Sequence, residues 1–162
     1  MLSIQISDIK DFMSHLLSKD TFDHFYFIEA SIKMGVSYQI QGRINEGFYD
    51  TSVEQTLNRE FCYWKEIRHR IFDIIKGKRL PLSCKIVLGL SKQSISYLIA
   101  HNNSSFREED IEGIYINILY DPKNLLITTG ISYKNFSLDK SLEYAFDEYL
   151  VKFFKGKSSY IV

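Results

Sequence analysis

The sequence predicts an α+β domain with a mainly antiparallel sheet, three helices and no cofactor. Three stretches place apolar residues at helical spacing, and the segments between them alternate apolar and polar residues as strands do. Their order lacks the regular strand–helix–strand alternation that is typical of a parallel sheet. With 162 residues and 45% hydrophobic content, the chain is expected to form a single compact domain over residues 1–162.

The first predicted elements are a helix and a hairpin. Ser7 is a suitable cap for the helix. Met34-Gly35 is a tight turn between the strand-like stretches "FDHFYFIEASI" and "VSYQIQGRI". Residues 45–58 are polar and irregular, which predicts a connection with one helical turn after Ser52. The helix itself is indicated by an apolar stripe: Ile9, Phe12, Met13, Leu16 and Leu17.

A second helix is predicted from Trp64 to Lys76, and a strand follows it. Gly77 is expected to end the helix in the left-handed conformation, and Pro81 prevents its continuation. The strand "PLSCKIVLGL" has apolar residues at alternate positions, with Lys85 on the other face. The residues expected to face the core are Leu82, Cys84, Ile86 and Leu88.

The rest of the chain predicts a strand, a hairpin and a helix. The stretch "SISYLIAH" is interpreted as a strand, and the polar "NNSSFREEDIEG" as a loop. The stretches "IYINILYD" and "LLITTGISY" predict a hairpin through Pro122, Lys123 and Asn124. A last helix over residues 138–155, capped by Ser137, has a wide apolar face.

Two parts of the chain share one order of elements. With an offset of 58 residues the apolar stripes of the first two helices coincide, and with one more residue Tyr38 and Ile40 coincide with Tyr97 and Ile99. Residues 1–44 and 59–133 are therefore candidate strand–helix–strand–strand pseudo-repeats. Alternatively, two amphipathic helices simply align after sliding. The element order resembles the repeat unit of sliding DNA clamps, which implies a DNA-clamp-like architecture. However, neither helix has the strongly basic face that such clamps use.

Four stretches resemble a family of small proteins, a domain of unknown function, from anaerobic Gram-positive bacteria. They are "YWKEI", "IIKGKRLPLSCKIVL", "DIEGIYINILY" and "TTGISYKNFSLDKSLEYAFDEYLVKFF". The most specific part is Lys76-Gly77-Lys78 with Pro81 and Leu82. The resemblance covers nearly the whole chain. It implies one compact cytosolic domain and carries no activity.

Motifs for cofactors, metals and covalent catalysis are not found. The sequence has no phosphate-loop or dinucleotide-binding pattern, its four histidines are scattered, and Cys62 and Cys84 belong to no metal-binding pair. We therefore predict no catalytic residue, no metal and no cofactor. The first residues lack the features of a signal peptide, and no run is long enough to span a membrane, so a cytoplasmic protein is expected.

The densest basic window ends at Lys76, Lys78 and Arg79. Residues 64–79 contain six basic residues against two acidic ones. One interpretation is an anion-binding site at these three side chains. The other, which we favour, is an exposed joint between helix and strand, because cations are favourable at the carboxyl end of a helix and anions are not.

The last helix carries two further patterns. Asp139, Glu143 and Asp147 recur every four residues, which indicates a solvated acidic stripe rather than a cation or acid–base site. Tyr144 and Val151 lie on the face opposite the apolar one, and with the tail "YIV" they predict a contact surface. That surface serves either self-association or packing beneath another strand of the same chain.

The leading functional hypothesis is a non-enzymatic binding or protein-interaction domain, whose partner is a second copy or another protein. One alternative is a small enzyme with a site assembled only in the fold, for which residues 101–107 and the basic joint are the first suspects. Another is a clamp-like protein associated with nucleic acid. The formal net charge of zero argues against binding nucleic acid, and no membrane partner is expected.

Overall fold

A computed structural model describes residues 1–49 and 58–155, together with the backbone of 160–161. Its described helices and strands form an antiparallel sheet with helices on one face, so the predicted α+β class is confirmed. Two short 3-10 turns, Glu46–Phe48 and Glu108–Asp110, lie in connections. In chain order the elements are β1 Ser3–Ile6, α1 Ile9–Leu17, β2 Tyr26–Lys33, β3 Ser37–Gln41, α2 Trp64–Ile75, β4 Ser83–Gly89, α3 Lys92–His101, β5 Ile111–Tyr120, β6 Leu125–Tyr133, α4 Ser141–Lys155 and β7 Tyr160–Ile161.

The sheet has the strand order β3-β2-β4-β5-β6-β1-β7, and all of its neighbouring pairs are antiparallel. Six strands have four to ten residues, and β7 at the edge has two. Side chains alternate between the two faces: Ile86 and Leu88 on β4 are buried, whereas Lys85 is exposed. The uncovered face carries polar residues such as Glu29, a pattern typical of a sheet that meets water on one side.

The core lies between the sheet and the helices. Trp64 at the start of α2 is fully buried, and its indole N–H donates to the Leu16 carbonyl at 2.7 Å, which joins α2 to α1. An aromatic cluster that includes Phe12, Phe22 and Phe154 packs α1 and the α1–β2 connection against α4. The helices are thus fixed to one another by burial and by a buried hydrogen bond.

The stretch predicted as the strand "SISYLIAH" forms helix α3, so the prediction of three helices is wrong and the described residues contain four. The Ser91 hydroxyl accepts from the Ser94 N–H at 3.2 Å and caps the helix, and the Ile95 N–H donates to the Ser91 carbonyl at 3.0 Å. Ile95 and Leu98 share one face at helical spacing and pack toward the core. The composition favoured a strand, but these caps and contacts favour the helix.

This helix removes the support for an internal repeat. The second predicted unit requires a strand where α3 lies, so Tyr97 and Ile99 have no strand to share with Tyr38 and Ile40. The first strand, moreover, pairs with β6 and β7 rather than within its own unit. The fold therefore supports neither the pseudo-repeats nor the DNA-clamp-like architecture.

Two predicted caps lie at different residues. Asp8 rather than Ser7 caps α1, because its carboxylate accepts from the Asp11 N–H at 2.9 Å. Helix α4 begins at Ser141 rather than 138. Ser137 accepts from the Asp139 N–H and Asp139 from the Ser141 N–H, which forms two successive turns before the helix. The helical turn predicted after Ser52 lies outside the described residues.

Candidate functional site

The joint between α2 and β4 has an unusual backbone. Helix α2 ends at Ile75, and Lys76 leaves the helical region at φ −60° and ψ 146°. Gly77 follows at φ +146°. The positive φ agrees with the predicted glycine stop, although its value is far from the roughly +57° of the left-handed helical conformation. The chain thus turns sharply out of the helix and exposes residues 76–80.

Two leucines on either side of Pro81 are exposed. Leu80 is 66% exposed and Leu82 is 70% exposed, whereas Pro81 between them is buried. The prediction that Leu82 faces the core is wrong, because Leu82 precedes the strand and most of its side chain is exposed. The Leu82 N–H donates to the Lys33 carbonyl at 2.8 Å, which ties the exposed segment to β2.

The three candidate anion-binding residues differ in their partners. Lys76 pairs with Asp73 at 2.9 Å, and this contact lowers the pKa of the Asp73 carboxyl through a hydrogen bond and through charge. Lys78 and Arg79 are exposed, and within the described parts of the chain their side chains form no ion pair. The structure thus leaves Lys78 and Arg79 available, while Lys76 is engaged.

A second exposed segment lies at the same end of the sheet. Lys33 at the end of β2 pairs with Ser37 on one side and Ser83 on the other. Val36 in the β2–β3 turn is 64% exposed, and Lys33 is exposed as well. Val36 and Leu82 therefore flank the end of β2. We call this set the corner surface: Lys33, Val36, Lys78, Arg79, Leu80 and Leu82.

The other predicted site residues lie on α4. Tyr144 is 68% exposed, so no described strand lies over it, and Val151 is half-buried. Strand β7 pairs with β1 through Tyr160 and Ile161, so this part of the tail extends the sheet of its own chain. Self-association through Tyr144 and Val151 stays a prediction.

The predicted acidic stripe has local partners. Asp139 accepts from the Ser105 hydroxyl at 2.6 Å, a contact that lowers the pKa of its carboxyl. Glu143 and Asp147 each lie 3.7 Å from the Met1 ammonium, and Asp147 also accepts from the Thr129 hydroxyl at 2.8 Å. The described residues contain no group of three potential metal ligands. The geometry agrees with a structural role for these acids.

The residues suspected for an enzyme are not brought together. Residues 101–107 precede β5, whereas the joint at 76–79 lies beside the other end of that strand, where Cys84 pairs with Tyr120. The ring of His101 stacks on Tyr97 with its Nδ1 2.9 Å from the Tyr97 carbonyl. Burial raises the pKa of the Cys84 thiol to about 12, so at neutral pH it stays protonated and is a poor nucleophile.

Sequence reasoning missed an open cleft of about 490 Å³ beside α1, α3 and α4. Its residues come from three separate segments, 15–25, 90–94 and 149–153, so no motif in the sequence could have indicated it. Side chains with polar groups lie beside an apolar floor, the usual composition of a small-molecule site. The cleft is lined by His15, Lys19, Asp20, Thr21, His24, Phe25, Leu90, Ser94, Tyr149 and Phe153.

Comparison with known families gives a match over residues 15–160, to the "Family of unknown function (DUF5721)". The chain belongs to this family. The match spans both the corner surface and the cleft, and it confirms the expected domain of unknown function. It says nothing of bacterial hosts or of clamps. Neither the curated proteins nor the solved structures give a significant match. No described helix is long and apolar enough to cross a membrane.

Proposed function

We propose that this protein is a non-enzymatic interaction domain, and that its corner surface binds an extended protein segment with acidic and apolar side chains. The observation that carries the proposal is the exposure of Leu80 and Leu82 on both sides of a buried proline. Single exposed apolar residues are ordinary, but a rigid group of them beside unpaired cations is typical of an interaction surface.

The backbone that carries Leu80 and Leu82 is restricted in conformation. Pro81 restricts the backbone between them, and the Leu82 N–H bonds to Lys33 in the neighbouring strand. Covering an exposed leucine completely contributes about 1.5–3 kcal/mol, and a rigid segment loses little conformational entropy when it binds. Most of the binding free energy is therefore assigned to the apolar contacts.

The cations determine which partner is preferred. Lys33, Lys78 and Arg79 on the corner surface form no ion pair among the described residues. Of the neighbouring acids, Asp73 pairs with Lys76, and Asp121 accepts from the backbone N–H groups of Lys123 and Asn124. Exposed ion pairs contribute only about 0–1 kcal/mol each, so the cations act mainly by steering and orienting an acidic segment.

The small number of cations at the corner favours a protein partner over a membrane or a nucleic acid. Clusters that bind anionic lipid usually contain about four to eight Lys or Arg residues, and tight DNA binding requires many phosphate contacts. The corner has three cations that form no ion pair within the described part of the chain, and the formal net charge of the chain is zero, so it falls short of both requirements. A short acidic segment with two or three apolar side chains fits the surface better.

A displayed library of random twelve-residue peptides tests the proposal. The library is selected on the wild-type chain, and each enriched peptide is then titrated by fluorescence polarisation. We expect enriched peptides to combine acidic and apolar residues, and to lose about tenfold or more in affinity for the Leu80→Ser/Leu82→Ser variant, because hot-spot contacts dominate such interfaces. The variant Lys78→Ser/Arg79→Ser should lose less, mainly at low salt.

A matched control separates the corner from general stickiness. Leu138 is 83% exposed and Lys140 is exposed, so Leu138→Ser/Lys140→Ser removes the same residue types elsewhere. That control should bind the peptides as wild type does. Enriched peptides that lack acidic residues, or that bind the corner variants unchanged, contradict the proposal. Strong binding to phosphatidylserine vesicles or to duplex DNA that depends on Lys78 and Arg79 contradicts it as well.

A further inference from the structure

Independently of the corner surface, we propose that the cleft beside α1, α3 and α4 binds a small molecule in which an aromatic ring carries an anionic group, either a carboxylate or a phosphate. The volume of about 490 Å³ is within the range of small-molecule sites. A second depression of about 190 Å³ continues along α3 and shares Leu90, Ser94 and Tyr149 with it.

A directed chain of hydrogen bonds points to the anionic group. The Lys19 ammonium has no lone pair, so at 3.3 Å it donates to Nε2 of His15. Because Nε2 accepts, the neutral ring carries its proton on Nδ1, which donates to the Thr21 hydroxyl at 2.8 Å. The Thr21 oxygen therefore accepts, and its own O–H is left to donate to an acceptor in the cleft.

The direction of the hydrogen bonds from Lys19 through His15 to Thr21 favours ligand binding over covalent catalysis. A threonine nucleophile requires a base that removes its proton, but here His15 already donates to Thr21. Asp11 lies 3.8 Å from Nε2 of His15, too far for the hydrogen bond that would orient the ring as a base. The pair therefore presents a hydroxyl donor, and successive bonds in one direction strengthen that donor.

The remaining polar groups agree with an acceptor-rich ligand. Lys19 has further N–H donors, and the Ser94 hydroxyl, the His24 ring and the Tyr149 phenol can also donate. Burial raises the pKa of the Tyr149 phenol, so it keeps its proton. Asp20 is the one lining residue that can only accept. Donors outnumber acceptors, as carboxylates and phosphates require.

The apolar part of the cleft favours a flat ring. Tyr149 and Phe153 lie one turn apart on α4 with nearly parallel rings, their centroids 6.4 Å apart. The ring of Phe25 meets that of Phe153 edge-on at 5.5 Å. Leu90, 6% exposed, also lines the cleft. Aromatic side chains arranged in this way accept an inserted ring by offset stacking or edge contacts.

The connection that carries Lys19 and Thr21 is anchored. The Arg68 guanidinium on α2 donates to both oxygens of Asp23, at 2.7 and 3.3 Å. The bidentate, half-buried pair fixes a segment that would otherwise be an ordinary surface loop. The donors are therefore held in place before a ligand arrives.

Four ring compounds test the proposal: phenyl phosphate, benzoate, benzyl alcohol and benzylamine. Each is titrated into the isotope-labelled chain to about 10 mM, where even a millimolar site is mostly occupied, and followed by two-dimensional NMR. We expect the two anions to shift the signals of Lys19, Thr21 and Ser94. We also expect them to bind about fivefold or more tightly than the neutral alcohol, as extra charge-assisted hydrogen bonds predict. The ratio between phenyl phosphate and benzoate then assigns the anionic group.

Three variants keep the test specific. Thr21→Val keeps the shape but removes the hydroxyl, so it should weaken anion binding about fivefold, whereas Thr21→Ser should bind within about twofold of wild type. Thr128→Val, which makes the same change on the uncovered sheet face, should have no effect. Equal or tighter binding of benzylamine or benzyl alcohol overturns the proposal, as do signal shifts centred outside the cleft, unchanged binding by Thr21→Val, or no response to either anion.

Discussion

Two leucines, Leu82 and Leu90, flank strand β4 and belong to the same alternating series of residues, but their surroundings differ. Leu82 before the strand is 70% exposed, whereas Leu90 just after it is 6% exposed. Both belong to the alternating series that begins at Leu82. At the carboxyl end the chain runs into α3 and the cleft, while at the amino end it comes from Gly77 and lies uncovered. Alternation thus predicts the face of a residue but not whether a helix covers it.

The largest expected effect is a difference between the two leucines. Leu90→Ala should lower the free energy of unfolding by about 2–5 kcal/mol, because it leaves a cavity among buried side chains. Leu82→Ala should change it by no more than about 0.5 kcal/mol, as at an ordinary surface position. Urea unfolding of both variants measures the difference. Equal losses would mean that Leu82 is packed and that the corner surface does not exist as described.

The backbone of the corner should matter more than its charges. Gly77 and Gly35 both have open space around the position of an added Cβ, but only Gly77 has a φ of +146°. Gly77→Ala should therefore destabilise the domain by about 1 kcal/mol or more. Gly35→Ala should be neutral or slightly stabilising, since it restricts the unfolded chain. Thermal unfolding compares them, and an equal effect of the two changes contradicts the strain assigned to Gly77.

A medium effect is expected at the helix that replaced a predicted strand. Ser91→Ala removes the side-chain cap of α3 and should cost about 1 kcal/mol. Ser96→Ala is the control on the same helix, because its hydroxyl only bonds back to the Lys92 carbonyl and should cost less than about 0.5 kcal/mol. Chemical denaturation of both is the measurement. If Ser91→Ala is as mild as the control, the cap does not explain why this stretch is helical.

The smallest effect should come from the corner cations. Lys78→Ser and Arg79→Ser should each change stability by less than about 0.5 kcal/mol, because neither side chain has an ion-pair partner in the described residues. Melting curves at low and high salt test this. A loss greater than that of Gly77→Ala would show that the two cations neutralise acids and are structural.

The sequence predicts helices, strands and turns correctly where a local pattern of residues determines them. Three predictions agree with the structure: the helix α2 with its stop at Gly77, the hairpin through Pro122 to Asn124, and the burial of Cys84, Ile86 and Leu88. Prediction from the sequence fails where packing against distant residues determines the secondary structure. Residues 92–101 contain strand-forming Ile and Tyr, but they form a helix whose Leu98 is buried in the core.

The same contrast between local patterns and distant packing applies to the two candidate sites. The basic joint is visible in the sequence because its cations are adjacent, but the exposure of Leu80 and Leu82 depends on which part of the sheet the helices cover. The cleft unites the α1–β2 connection, the β4–α3 junction and α4. No spacing along the chain predicts that Thr21 and Tyr149 line the same cavity.

The most direct test of the account is the solvent exposure of leucine methyl groups. A soluble nitroxide is added to methyl-labelled protein, and the paramagnetic relaxation of each leucine is measured by NMR with and without an enriched acidic peptide. We predict strong relaxation at Leu80 and Leu82, little at Leu88 and Leu90, and protection of the first pair when the peptide binds. If Leu82 is as protected as Leu88 in the free protein, or if the peptide leaves both corner leucines exposed, the corner surface is not the interaction site.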